Sequence, residues 1–161
     1  MIAKIPDARD LNQKPLKAFK PLFATLAPPE IGMLTGVYEA AFTGPGWLRL
    51  SAGPSLALSG LGGWWGKDFT DGGGINLVLR SGRLQPIFPF RTVLASSAID
   101  GKPAVIVRYT ADCPFPWQYI FDEVREIEAG RLLGMTLIDV AGLRRMAFPF
   151  LLERRPGSHG L

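Results

Sequence analysis

One cysteine and one histidine in 161 residues exclude much familiar chemistry. Cys113 alone makes neither an intrachain disulfide nor a cysteine-based zinc site. No histidine lies near it in sequence to activate the thiol, so it reads as an inert buried side chain. His159 stands two residues from the end of the chain, in a glycine- and proline-containing stretch. That is a poor place for the base of a Ser-His-Asp triad. The carboxylates are scattered and give no ligand spacing for a metal. Gly60 to Gly63 and Gly72 to Gly74 lack the patterns of phosphate-cradling loops, and no cofactor is indicated.

Long apolar runs are also missing. None reaches the roughly 18 residues of a membrane span. Met1 to Lys20 mixes charge with apolar residues and has no apolar core of a secretory leader. The expectation is a soluble cytoplasmic protein, with peripheral membrane contact left open. Charge of one sign is not concentrated either. The formal net charge is +4, with the tightest basic pairs at Arg144-Arg145 and Arg154-Arg155. Nucleic-acid binders gather basic side chains on one face, so that function class is disfavoured. A mild affinity for anionic ligands or lipid surfaces fits the charge.

What is present is apolar and turn-rich. Hydrophobic residues make up 47% of the chain, with 19 glycines and 14 prolines. Short apolar runs between turn formers favour strands over long helices. A chain of this length reads as one domain over 1–161, with residues 1–15 a loose arm and 154–161 a flexible tail. Leu16, Phe19, Leu22, Phe23 and Leu26 have helical spacing. Pro21 breaks it, so two short turns are expected rather than one straight helix. Pro28-Pro29-Glu30 is suited to opening another helical turn.

From Met33 onward the pattern is β. Strands are expected over Met33 to Phe42, Trp47 to Ser51, Ser55 to Leu58 and Trp64 to Phe69. Asp71-Gly72-Gly73-Gly74 turns into Ile75 to Arg80, and Ser81-Gly82 into Arg83 to Phe88. Arg91 to Ser96 and Lys102 to Thr110 flank the hairpin dipeptide Asp100-Gly101. Trp117 to Ile127 is ambiguous between strand and helix. Arg131 to Asp139 and Arg144 to Glu153 complete the series. Closure into an up-and-down antiparallel barrel removes exposed edges, and eight strands enclose just enough space for side chains or one small ligand. The fold class is all-β, a calycin- or lipocalin-like antiparallel barrel with a short N-terminal helical segment across a mouth or along the outside.

The richest stretch is Trp64-Trp65-Gly66-Lys67-Asp68-Phe69. In a regular strand Trp65, Lys67 and Phe69 share one face, and Trp64, Gly66 and Asp68 the other. An inward Lys67 among aromatics is a desolvated cation that needs a carboxylate or an anionic ligand group. The competing reading makes Lys67 and Asp68 rim residues beside packed indoles. Arg80 shares its face with Asn76 and Val78, the solvent face on the bland reading. Arg108 interrupts Ala104 to Tyr109 and either pairs inside the barrel or snorkels outward. Tyr109 to Trp117, stiffened by Pro114 and Pro116, makes a plausible pocket wall. Asp122 and Glu123 are adjacent, so in a strand they point apart. Each is free to pair with Lys67 or an arginine.

Several pieces together are similar to the GXWXG-type proteins, a little-studied group. They are Pro28-Pro29-Glu30, Leu34-Thr35-Gly36-Val37-Tyr38, Trp65-Gly66-Lys67-Asp68-Phe69, Ala104 to Tyr109, Pro114, Asp122-Glu123-Val124-Arg125 and Leu133-Gly134-Met135. Tyr38 and Ala40 stand where the naming motif has tryptophan and glycine. The resemblance implies a calycin-like barrel, establishes no activity and carries over no functional residue.

Three functions fit these residues. In the first, the barrel binds a small, largely apolar molecule with room for an anionic end. Trp64, Trp65, Phe69, Tyr109 and Trp117 form walls, and Lys67 with Arg80 or Arg108 holds the polar end. In the second, the same pocket is a cofactor-free isomerase, cyclase or lyase using Lys67, Tyr109, Asp122 or Glu123 as acid or base. In the third, the basic face and Phe148-Pro149-Phe150-Leu151-Leu152 form a membrane-peripheral or protein-interaction module.

Overall fold

Runs of β-branched and aromatic residues punctuated by glycine turns give eight strands, which close a barrel in sequence order. The computed structural model describes residues 8–157. Helix α1 (Ala8–Asn12), a 3-10 turn at Leu16–Ala18 and α2 (Phe19–Ala24) precede β1 (Gly36–Phe42). Helix α3 (Gly46–Leu58) links β1 to β2 (Trp64–Thr70). Then follow β3 (Gly73–Arg80), β4 (Arg83–Ser96), β5 (Pro103–Tyr109), β6 (Ile120–Glu128), β7 (Arg131–Ile138) and β8 (Ala147–Arg154). Every pair is antiparallel, and β8 returns to β1 with Ala40 opposite Leu152. The closed antiparallel barrel read from the sequence is the fold observed.

Two layers of core follow from strand alternation. Inside, Tyr38, Phe69, Phe90, Val105, Val124 and Leu152 fill the end of the barrel away from α3. Outside, Leu11, Phe19 and Phe23 are fully buried against Ile106, Phe121, Leu133 and Leu137. The N-terminal helices therefore lie along the barrel's outer face. Of the arm expected over 1–15, residues 8–12 form α1 and Leu11 joins this core; residues 1–7 fall outside the described part. Of the expected tail, Arg154 ends β8, and residues 158–161, with His159, are likewise outside.

Three expectations change. Trp47 to Ser51 and Ser55 to Leu58 are not strands but the two halves of α3, a 13-residue helix that continues through Pro54. Gly53-Pro54 reads as a turn in sequence, but proline removes only one backbone donor from the ladder. Arg83 to Phe88 and Arg91 to Ser96 are one strand, β4, with Phe88 at φ 54 as an interior irregularity. Phe148 to Leu152 is the interior of β8, with Phe150, Leu151 and Leu152 buried, so it offers no docking surface.

Candidate functional site

Two bulges build the site. In β2 the pairing steps from Trp64↔Val78 to Gly66↔Leu77, leaving Trp65 without a partner on β3. One extra residue reverses which side chains point inward, so Trp64 and Lys67 enter the barrel and Trp65 turns out. The Arg155 guanidinium stacks over the Trp65 ring at 5.7 Å. The residue after the bulge must be glycine: a Cβ on Gly66 would sit 2.0 Å from the Tyr38 carbonyl oxygen of β1. The inward placement expected for Trp65 is thus corrected, and the cause is the extra residue.

The second bulge is in β4, where Ile75 pairs with Pro89 but Asn76 with Ile87, skipping Phe88. Phe88 takes the left-handed φ that favours glycine. Its freed carbonyl accepts a bond from the Asn76 side-chain Nδ2 at 3.0 Å. That contact aims Asn76 Oδ1 into the barrel, where it accepts from Lys67 Nζ at 2.9 Å and Trp64 Nε1 at 3.1 Å.

Lys67 is fully buried and spends all three ammonium protons inside the barrel. Besides Asn76, Nζ donates to the Tyr109 hydroxyl at 2.9 Å and lies 3.3 Å from Asp122 Oδ2. The Phe90 ring centroid is 4.8 Å from Nζ, a further favourable contact for a desolvated cation. Tyr109 donates to Asp122 Oδ2 at 2.8 Å, and the Thr136 hydroxyl donates to Asp122 Oδ1 at 2.8 Å. Burial pushes the Lys67 ammonium below its ordinary pKa, and the Asp122 carboxylate pulls part of that back. Burial and the Asp122 charge hold the Tyr109 phenol well above its ordinary value.

This cluster forms the floor of a cavity of about 400 Å³. Asp122, Tyr109 and Thr136 face the space, with Lys67 and Asn76 behind them. The walls are apolar: Trp64, Phe150, Trp117 and Leu61, with Leu48 and Leu56 of α3 covering the mouth. Trp64 is held edge-on to Phe150 at 5.5 Å. Trp117 donates to the Ser59 carbonyl at 2.8 Å, tying the β5–β6 loop to the end of α3. The rings of Trp117 and Tyr109 lie 4.8 Å apart.

Each donor atom of the floor has a partner. The acceptors are not all filled: Asp122 Oδ1 takes one bond where a carboxylate oxygen accommodates two, and Thr136 Oγ1 keeps its lone pairs. The cluster also carries one positive and one negative group at contact distance. The site therefore presents acceptors to the cavity and no free cation.

The structure thus gathers Trp64, Lys67, Tyr109, Asp122 and Trp117 from the sequence-derived set. Phe69 is inside the barrel but packs beyond the cavity against Tyr38 and Phe90. Arg80 is exposed on the rim, donating to the Gly60 and Gly62 carbonyls. Arg108 is exposed on the outer face, 4.7 Å over the Phe121 ring. Neither reaches the cavity floor. Glu123 points outward as adjacency to Asp122 required, accepting from Ser97 Oγ and the Ala98 amide. Sequence reasoning put Asn76 on a solvent face with Val78 and Arg80, but Asn76 and Val78 are fully buried, and it passed over Thr136. The signal for Asn76 was a polar side chain inside an otherwise apolar strand, facing a glycine-containing neighbour. Among the described residues no three His, Cys, Asp or Glu side chains gather as a metal site.

These features define a closed antiparallel barrel with an apolar cavity resting on a buried polar cluster. The fold is similar to that of a protein from Thermomonospora curvata known from its crystal structure, with a TM-score of 0.63 and 18% identity over 86% of each chain. At that identity the likeness speaks for the fold alone. No family model and no curated protein matches the chain.

Proposed function

We propose that the barrel binds a small, largely apolar molecule whose polar end donates a hydrogen bond, as an alcohol does. The observation that carries this is the unspent acceptor capacity of Asp122 and Thr136 at the floor of an apolar cavity. Pockets of this size bury most of a small ligand and orient it with a few polar groups. An anionic end, one option from sequence, meets a carboxylate whose lysine is already engaged. The kinship with the GXWXG-type proteins and the calycin-like description belong to this same proposal. Their support is that the matched Lys67 and Asp122 segments meet inside the barrel.

The test is a titration followed by the fluorescence of Trp64 and Trp117, comparing decanol with decanoate. Saturable binding of the alcohol, with the acid weaker, is expected. Failure of both ligands, with nothing retained by the purified protein in native mass spectrometry, overturns the reading.

A second reading has its own support: a lysine buried beside a carboxylate and a phenol in a cavity is a usual setting for acid–base catalysis. On that reading Asp122 takes a proton from the substrate and Tyr109 relays it, with no cofactor. A pH–rate profile on a bound metabolite, lost in Asp122→Asn while binding persists, supports it; turnover unchanged in that variant counts against it.

A further inference from the structure

Helix α3 is apolar on more than the side that meets the cavity. Its cavity side carries Leu48, Ala52 and Leu56 together with Ser51 and Ser55, whose hydroxyls bond back to the Leu48 and Ser51 carbonyls. Beside that face runs an exposed stripe of Trp47, Leu50, Pro54 and Leu58, at intervals of three, four and four residues, with Trp47 also bordering the cavity. Leu50 is 82% exposed and Leu58 92%. Isolated exposed leucines are ordinary, but an apolar stripe turned away from the protein calls for an apolar neighbour.

The stripe is not alone. In an up-and-down barrel alternate connections meet at one end. Here α3, the β5–β6 loop and the end of β7 all border the same cavity mouth. Phe115, at 75% exposure, projects from the β5–β6 loop, and Leu143 and Met146 are exposed in the β7–β8 loop. The connections at this end also carry arginines: Arg49 on α3, Arg80 and Arg83 flanking the β3–β4 turn, Arg144 and Arg145 in the β7–β8 loop. Against these five arginines the same connections hold two acidic residues, Asp112 and Asp139, the latter paired with Arg144 at 2.7 Å. The mouth end therefore holds most of the chain's positive charge excess.

We propose that this end docks on an anionic lipid bilayer, with α3 lying in the interface. The outer stripe and Phe115 enter the acyl boundary, and the arginines meet the headgroups. That combination of an apolar stripe with flanking basic side chains is how interfacial helices bind. It also brings the cavity mouth against the bilayer, so that an apolar ligand passes between the two without crossing water. This last consequence rests on the proposed binding function, whereas the docking does not.

The experiment is co-sedimentation of the full chain with vesicles of phosphatidylcholine alone and of phosphatidylcholine mixed with phosphatidylserine, at low and high salt. The expected result is pelleting with the mixed vesicles that weakens as salt rises. The double variant Leu50→Asp/Leu58→Asp should lower that partition by about tenfold or more, since it deletes two leucines' worth of apolar transfer and adds like charge to the lipid. Arg144→Gln/Arg145→Gln should lower it on mixed vesicles only. Both side-chain pairs are exposed, so folding is retained, checked by thermal melting. The titrations without vesicles read the pocket separately: vesicle binding with neither decanol nor decanoate bound, and nothing retained in native mass spectrometry, sinks the ligand reading and leaves the docking intact. No pelleting on either lipid overturns the docking, as does a leucine variant that pellets like the parent. A parent that is dimeric without lipid and made monomeric by the leucine change overturns it too, because the stripe would then be an interface between copies.

Discussion

Two fully buried cations sit a few strands apart, and only one of them marks a site. Arg125 points out of β6 beneath α2, its guanidinium 4.3 Å over the Phe23 ring. Its five N–H donors find five acceptors: both carboxylate oxygens of Asp100, and the carbonyls of Phe23, Lys102 and Pro103. Lys67 also satisfies every donor, but its partner Asp122 borders empty space and keeps an open acceptor. A buried charge whose whole environment is closed fastens the structure. A buried charge whose counter-ion faces a cavity is available to a ligand. The difference lies in what remains unpaired, and buried charge by itself says little.

The sharpest way to break this contrast is to remove the closed cation. Arg125→Met removes the guanidinium's bonds to Asp100 and to three carbonyls, and losing one side of a buried pair costs about 3–5 kcal/mol. For a chain of this size that lowers Tm by on the order of 10 °C, with decanol affinity per folded molecule unchanged. Scanning calorimetry and titration together check it. The same pair has a pH signature. The Arg125 guanidinium holds the Asp100 carboxyl down to about 2, from an ordinary 3.8. Because the folded value is the lower one, the stabilisation is present above the ordinary carboxylate range and disappears as pH falls toward about 2. Urea midpoints from about pH 5 downward should fall more steeply in the parent than in Arg125→Met.

Asp122→Asn is the matching change at the open cluster, and it should cost less stability and more function. Lys67, deprived of its counter-ion, can shed a proton and keep its bonds to Asn76 and Tyr109. The expected loss is about 1–3 kcal/mol, with decanol affinity down about tenfold. If Asp122→Asn destabilises more than Arg125→Met and leaves decanol affinity intact, the division into fastening and open clusters is wrong.

The closed barrel was legible because turn dipeptides and alternation report local backbone, and closure follows from burying edges. The site was half legible. An inward Lys67 was available from sequence as a charge that needs a carboxylate, with Asp122 and Glu123 both open as the partner. Which indole accompanies it was not, because an extra residue in β2 inverts the alternation from which facing is read. Gly66, inside an aromatic run, was the hint, since glycine in a strand often marks a bulge or close backbone approach. Phe88 gave no such hint: a phenylalanine at positive φ is held there by tertiary pairing. Helix α3 was hidden by Gly53-Pro54, and its apolar residues, spread over both the cavity side and an exposed stripe, match no single amphipathic face.

A gentler probe of the same contrast uses alkaline pH. Lys67's folded pKa lies below 10.5, so between the two values the unfolded chain holds the extra proton. Stability therefore rises with pH in that window. Above about 10 the raised phenols of Tyr109 and Tyr38 oppose it, because the folded chain then keeps protons that the unfolded chain loses. Urea midpoints from about pH 7 to about pH 10 should climb more in the parent than in Lys67→Met. Equal slopes in the two proteins would mean that Lys67 is not desolvated as the structure shows.

The smallest expected effect tests the bulge itself. Trp65 lies outside the barrel, half-buried, under the Arg155 guanidinium. Trp65→Phe keeps a ring for that cation and should change stability by about 0.5 kcal/mol or less, an ordinary value for a surface change. It should leave the decanol-induced fluorescence change in place, because the responding indoles are Trp64 and Trp117. Trp64→Phe, one position earlier, removes the donor to Asn76 and part of the cavity wall against Phe150. It should abolish most of the fluorescence response and weaken decanol binding severalfold. Adjacent residues of the same type thus give opposite readouts only if one extra residue in β2 turns the first inward. A regular strand predicts the reverse order, and that result would place Trp65, rather than Trp64, in the cavity.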